Sequence, residues 1–373
     1  MKKIQLSVII LMFLMILSQA VWAETAETIK IGFILSRTGV AADGNVSLTQ
    51  GLRIAVKEIN DMGGVIGKKL EPLLFDNRST PIGSKIATDR AVKAGVCTII
   101  GANWSSFSLV AAKVAQANRI PMIADYATNS DVTRTGDYIF RICFTDPFQG
   151  KAMAQFARND LETKTAVILK NVSSDYSMGL AQEFRKLFES LGGKILLELK
   201  YIQNEKNFRK LLEQTKQVSP DALFVPGQFE SGAVVMQAQE MGITAIPLGG
   251  DGWGGTNFYK KGGSSMKLGY YSTHWSEESD RKISREFLKR LQAHGPVDAG
   301  TVLVYDAVSL LARAIEKASS SEPGKIRDAL ARTSNFEGIT GSITFDENGD
   351  PIKDVVIMQI RDGKAHYLKT MEP

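Results

Sequence analysis

Ile29-Lys30-Ile31-Gly32-Phe33-Ile34-Leu35 opens a rhythm that this 373-residue chain repeats. The run is short, apolar and rich in β-branched residues, and behind it Leu52, Val56 and Ile59 recur at intervals of three and four. The first pattern reads as a buried strand and the second as one face of a helix. Strands are expected to begin near Ile29, Leu70, Cys97 and Ile120, and again near Thr165, Lys194, Asp221 and Ala245. Helices are expected to open between them, near Thr49, Ile82 and Ser106, then near Tyr176, Phe208 and Glu230. Strand and helix in alternation put the strands parallel, because each helix carries the chain back to where the next strand starts. The fold class expected is therefore α/β, with two doubly wound parallel-sheet lobes whose crossovers are right-handed.

The last third is less regular. Helices are expected from about Asp280 to Ala293, Val302 to Ala318 and Lys325 to Arg332, followed by a hairpin turned at Asn348-Gly349 and a strand near Val355 to Ile360. The first two helices are expected to return to the first lobe and the final strand to join the second. The chain then passes between lobes three times, near Phe144 to Pro147, Tyr271 to His274 and Gly338 to Ser342. The expected lobes are 24–145 with 275–339, and 146–274 with 340–373. A three-strand hinge of this kind restricts motion to opening and closing.

Composition agrees with large cores rather than staples. The chain is 44% apolar and 23% charged, with two Cys, too few for a disulfide framework. Lys2 and Lys3 precede an uncharged apolar run from Val8 to Leu17 and the small-residue stretch Val21-Trp22-Ala23, which reads as a signal peptide (1–23) cleaved after Ala23. The run is too short for a membrane anchor. Without that leader, the 45 basic side chains less Lys2 and Lys3 stand against 40 acidic ones, a net charge of +3 that suits no nucleic acid. The expectation is a periplasmic monomer.

Open parallel sheets bind ligands beyond the carboxyl ends of their strands. The loops there carry Trp104, Tyr126, Tyr176, Phe229 and Trp253 together with Ser105, Thr128 and Asp251, aromatic walls with a few polar tips. Ser105 stands where a strand gives way to a helix, either as a plain cap or as a receptor for a carboxylate. Thr128 offers a hydroxyl at a strand end, in ordinary turn chemistry or toward a ligand. Asp251 lies among Gly249, Gly250, Gly252, Gly254 and Gly255, where it either makes an Asx-turn or points a carboxylate into the cleft, the glycines letting backbone approach a ligand. Neutral donors on one lobe and an acceptor charge on the other match the two ends of an α-amino acid.

In order and spacing, several segments resemble the branched-chain amino-acid-binding proteins, type I periplasmic receptors of ABC transporters. They include Ile29-Lys30-Ile31-Gly32, Gly51-Leu52-Arg53-Ile54-Ala55, Gly63-Gly64-Val65-Ile66-Gly67, Tyr126-Ala127-Thr128-Asn129, Asp175-Tyr176-Ser177, Gly249-Gly250-Asp251-Gly252-Trp253 and Phe345-Asp346-Glu347-Asn348-Gly349. The resemblance implies that Ser105 and Thr128 hold a ligand carboxylate, that the Tyr126 carbonyl and Asp251 hold its ammonium, and that Tyr176 closes from the second lobe. It implies a membrane permease as partner, with no cofactor, metal or catalytic residue. Phe229 falls where the family often carries Tyr, Asp43 where it often carries an aromatic residue, and Trp104 where some members have Cys. The family disulfide is absent on this reading, because Cys97 and Cys143 sit at opposite ends of their strands; two buried thiols are expected.

Rival chemistries find less support. The glycines around Asp251 match a dinucleotide pattern but come late and open no amphipathic helix. His274, His294 and His366 are scattered, and His274, near a crossing, reads as a hinge or surface residue or else as one that reaches the cleft. Asp346 to Pro351 starts like a calcium loop but has Pro351 where Gly is required, so a hairpin turn is expected. Two alternatives to an amino-acid receptor remain: the same receptor taking an aromatic carboxylate or amide, and a secreted α/β hydrolase.

Overall fold

The structure, a computed structural model, describes residues 27–291 and 297–372. The leader read at 1–23, the expected helix end at Ala293 and His294 lie outside the described residues.

Strands β1 (Ile29–Leu35), β2 (Leu70–Asp76), β3 (Thr98–Gly101), β4 (Met122–Ala124) and β5 (Ile139–Arg141) form one sheet in the order β2-β1-β3-β4-β5, every neighbouring pair parallel. Helices α1 (Asn45–Asp61), α2 (Pro81–Lys93) and α3 (Ser105–Ala117) run between them. Side chains alternate faces along a strand, so Ile31 and Phe33 enter one core with Leu48 and Leu52 of α1, while Ile34 enters another with Ala87, Ala91 and Phe107. Burial on both faces is why β1 reads as a continuous apolar run. Thr80 starts α2 where expected: its side chain accepts the Gly83 N–H at 2.9 Å, and Pro81 takes the first turn.

The second sheet has five parallel strands, β6 (Thr165–Asn171), β7 (Lys194–Tyr201), β8 (Ala222–Phe224), β9 (Ile246–Gly249) and β10 (Leu268–Thr273). Its helices are α4 (Asp146–Gln155), α5 (Asp175–Ser190), α6 (Arg209–Val218), α7 (Ser231–Glu240) and α8 (Thr256–Lys260). Helices α9 (Lys282–Leu291), α10 (Ala299–Ala318) and α11 (Pro323–Ala331) follow. Gly51 lets α1 meet α10 backbone to backbone, since a Cβ there would stand 2.2 Å from the Thr301 carbonyl oxygen. Leu303, Val304 and Leu311 of α10 accordingly share the core of β1.

A small antiparallel sheet, β11 (Phe336–Gly338), β12 (Gly341–Phe345) and β13 (Pro351–Ile352), precedes β14 (Val355–Arg361) and β15 (Lys364–Met371), which extend the second sheet antiparallel beyond β10. Two features differ from the sequence reading. Where only a crossing near Tyr271 to His274 was expected, residues 268–273 are a full strand, with Tyr270 and Tyr271 in separate cores on its two faces. Residues 341–345, expected beyond the third crossing, bury Ile343 and Phe345 in the first lobe's core, where Phe345 packs 5.4 Å from Phe140. The chain enters the second sheet only after Ile352. Antiparallel pairing with β11 holds the segment back, a constraint that periodicity does not carry.

Candidate functional site

Between the lobes lies a cleft of ≈ 260 Å³, walled by Trp104 and Tyr126 from the first lobe and by Phe229, Asp251 and Gly252 from the second. Trp104 and Phe229 face each other across it at 5.9 Å between ring centroids. Asp43, Asn103, Gln228, Asn257 and Asp298 also line it, and of these the sequence had singled out only Asp43.

Ser105 begins α3, and its buried hydroxyl accepts the Asn129 N–H at 3.3 Å, joining the two first-lobe loops that carry Ser105 and Thr128. Thr128 is fully buried; its Oγ1 sits beside the Asp146 carboxyl but outside hydrogen-bond geometry. Neither residue lines the open part of the cleft; both stand behind Trp104 and Tyr126 in sequence and burial.

Two residues absent from the sequence reading hold these loops. Asp125 accepts the N–H of Asn103 at 2.8 Å and of Tyr126 at 2.9 Å, and burial pushes its carboxyl up to about 6. Arg141, fully buried, donates to the carbonyls of Ala127 at 2.6 Å and Asn129 at 2.9 Å, and to Thr133 Oγ1 at 2.9 Å. A buried guanidinium that spends two of its donors on main-chain carbonyls fixes a loop in one geometry. Sequence offers a lone Asp and a lone Arg with no spacing signal.

Asp251 lies in a single 3₁₀ turn (Asp251–Trp253), lines the cleft and is buried. Its Oδ2 stands 3.1 Å from His274 Nε2, whereas Oδ1 is buried outside hydrogen-bond geometry, with the Tyr176 hydroxyl close by. His274 follows β10 at a crossing, as expected, but is buried rather than on the surface: its ring packs 3.7 Å from Phe144 and edge-on to Tyr126 at 5.0 Å.

Three expectations need correcting. Trp253 is a core residue, stacked on Phe258 at 4.8 Å with its indole N–H given to the Val225 carbonyl at 3.1 Å; it does not wall the cleft. Tyr176 lies under the Asp251 loop, its Oη accepting the Gly252 N–H at 3.2 Å, and so supports that loop rather than lining the cleft. Two of the glycines admit these rings rather than a ligand: a Cβ on Gly250 would lie 2.4 Å from Tyr176 Oη, and one on Gly249 would lie 2.1 Å from the Trp253 ring, whereas Gly252, Gly254 and Gly255 line the cleft.

Contacts also cross the cleft's edge. The Asp175 N–H donates to Ser106 Oγ at 3.2 Å, and Asn129 Nδ2 donates to the Asp175 carbonyl at 3.0 Å. Both hold α5 against the first lobe. Cys97 and Cys143 are buried free thiols, pushed up to about 11 and about 12 by burial. The Asp346 to Asp350 segment is a turn, Asp346 Oδ1 accepting the N–H groups of Asn348 and Asp350 at 2.9 Å each.

Residues 28–365 match the family described as periplasmic binding protein. The chain belongs to that family. This binding protein is 29% identical to the Leu/Ile/Val-binding protein homolog 1 of Brucella abortus, over 93% of this chain and 94% of that one. Among solved structures, a leucine-binding protein of Thermotoga maritima is similar with a TM-score of 0.88 and 32% identity, covering 93% of this chain and 99% of that chain. A branched-chain amino-acid transporter substrate-binding protein of Streptococcus pneumoniae, in complex with isoleucine, has a TM-score of 0.86 and 31% identity over 93% and 100%. Among the described residues of this binding protein, no helix is long and apolar enough to cross a membrane.

Proposed function

We propose that this binding protein is an extracytoplasmic receptor that takes an α-amino acid with an apolar side chain between its lobes and presents the closed form to the permease of an ABC transporter. The observation that carries the reading is Asp251, whose buried Oδ1 is uncommitted beside the cleft. A carboxylate removed from water requires a cation or donors, and an ammonium supplies both. Ser105 and Thr128 stand behind the Trp104 and Tyr126 wall, and on this proposal they and the start of α3 receive the carboxylate once that wall gives way, since the first amides of a helix favour an anion. Trp104, Tyr126 and Phe229 provide apolar surface for the side chain. The relatives named for leucine, isoleucine and valine support the same ligand class. On this reading the leader is removed after Ala23, the protein works in the periplasm as a monomer, and it catalyses nothing.

Calorimetric titration tests the ligand. L-Leucine should bind and 4-methylpentanoate, the same skeleton without the amino group, should not. Binding of 4-methylpentanoate or benzoate with no binding of leucine would replace this reading with the aromatic carboxylate one.

A further inference from the structure

The structure assigns to His274 a role in setting the charge that the cleft offers. We infer that neutral His274 donates its Nε2 proton to Asp251 Oδ2, leaving Oδ1 as the acceptor facing the ligand, and that a second proton on His274 cancels the carboxylate and weakens the grip on a cationic group. The inference rests on Asp251 holding the ligand's ammonium, as proposed above.

Geometry carries it. His274 and Asp251 are both buried at 3.1 Å, and each keeps one polar atom, His274 Nδ1 and Asp251 Oδ1, without a hydrogen-bond partner in the protein. A carboxylate whose second oxygen is tied by a fixed donor cannot turn away from the cleft. His274 is itself held by the rings of Phe144, on the first crossing, and Tyr126, on the opposite lobe. The pair therefore sits where hinge, lobes and cleft meet.

Burial of the ring opposes its protonation and outweighs the titratable groups around it. Asp251 favours the charged form, while burial, the largest influence, and Lys353 on the segment before β14 disfavour it, so His274 titrates below its ordinary value. The other ionisable neighbours of Asp251 among the described residues include Tyr126, Tyr176, Asp146 and Cys143, and burial keeps all four toward their protonated, uncharged forms. His274 is left as the neighbour of Asp251 that gains charge as the solution is made acid, on the low-pH side of its ordinary value. Its proton comes from solvent and returns there when the pair is reset.

Two measurements on the mature protein test this. Histidine NMR should show His274 neutral with the proton on Nε2 at neutral pH, and its titration should move to lower pH in Asp251→Asn, which removes the favourable charge. A charged His274 at neutral pH, or a titration indifferent to Asp251→Asn, overturns the inference. Leucine affinity should weaken as pH falls below neutral, by at most about tenfold per pH unit for one proton. His274→Gln keeps a donor but cannot titrate, so it should bind leucine as the parent does at neutral pH with a flat profile. His274→Leu should bind more weakly at every pH. A parent profile that is flat, or one that His274→Gln leaves sloping, also overturns the inference. If leucine binds at no pH, the ligand assignment fails, and the NMR titration still decides the His274–Asp251 couple.

Discussion

Arg141 Nε and Asp350 Oδ1 meet at 2.5 Å, although 209 positions separate them in the chain. The guanidinium spends its remaining donors on the loop that carries Thr128, so a turn in the last thirty residues fixes a loop of the first lobe. Gly349 makes the approach possible: with φ at +79° it occupies left-handed backbone, and a Cβ there would stand 2.7 Å from the Ile139 carbonyl oxygen.

Asp350→Ala should therefore destabilise the protein by about 3 kcal/mol, because it removes the carboxylate paired with a buried guanidinium. Urea unfolding of the ligand-free protein checks this. Leucine affinity should fall as well, through the loosened 127–129 segment.

Asp251→Ala should weaken binding of an α-amino acid by about 2 to 5 kcal/mol, since the ammonium loses its partner inside a closed cleft. That is roughly 30-fold or more in affinity. Calorimetry with leucine reads it directly, and unchanged affinity would remove Asp251 from the site.

Gly250→Ala should push Asp251 out of place, because the new methyl meets Tyr176 Oη at 2.4 Å and Leu180 Cδ2 at 2.5 Å. Tyr176→Phe removes one of those atoms. The double variant should recover part of the leucine affinity lost by Gly250→Ala alone, a non-additivity measurable in a double-mutant cycle.

Asp146→Asn should flatten the dependence of stability on pH. Burial raises the Asp146 carboxyl from 3.8 to about 8, so the folded protein keeps a proton that the unfolded chain releases. Stability from this group is full below the unfolded value and is lost as pH rises through the folded one. The asparagine variant should match its parent below the unfolded value of 3.8, exceed it increasingly in melting temperature from there up to about 8, and keep that excess above. A melting difference that does not grow with pH would show that Asp146 is ionised when folded.

Strand and helix identities were legible in the chain because a parallel sheet buried on both faces needs apolar runs, and a helix on it needs one apolar stripe. β1, β6 and α1 follow from those local rules alone, and so does the Trp104-Ser105 strand-to-helix junction. Part of the cleft's lining was legible too, since loops at strand ends hold Trp104, Tyr126, Phe229 and Asp251, which the fold brings to one opening. The contacts that fix these side chains were not. Arg141 with Asp350, Asp125 with Asn103, and His274 with Asp251 join residues that no period links, and only packing decides which of them meet. Packing also moved Trp253 and Tyr176 from the expected cleft wall into the support beneath it, because a large ring next to glycine is drawn to whichever side buries more of its surface.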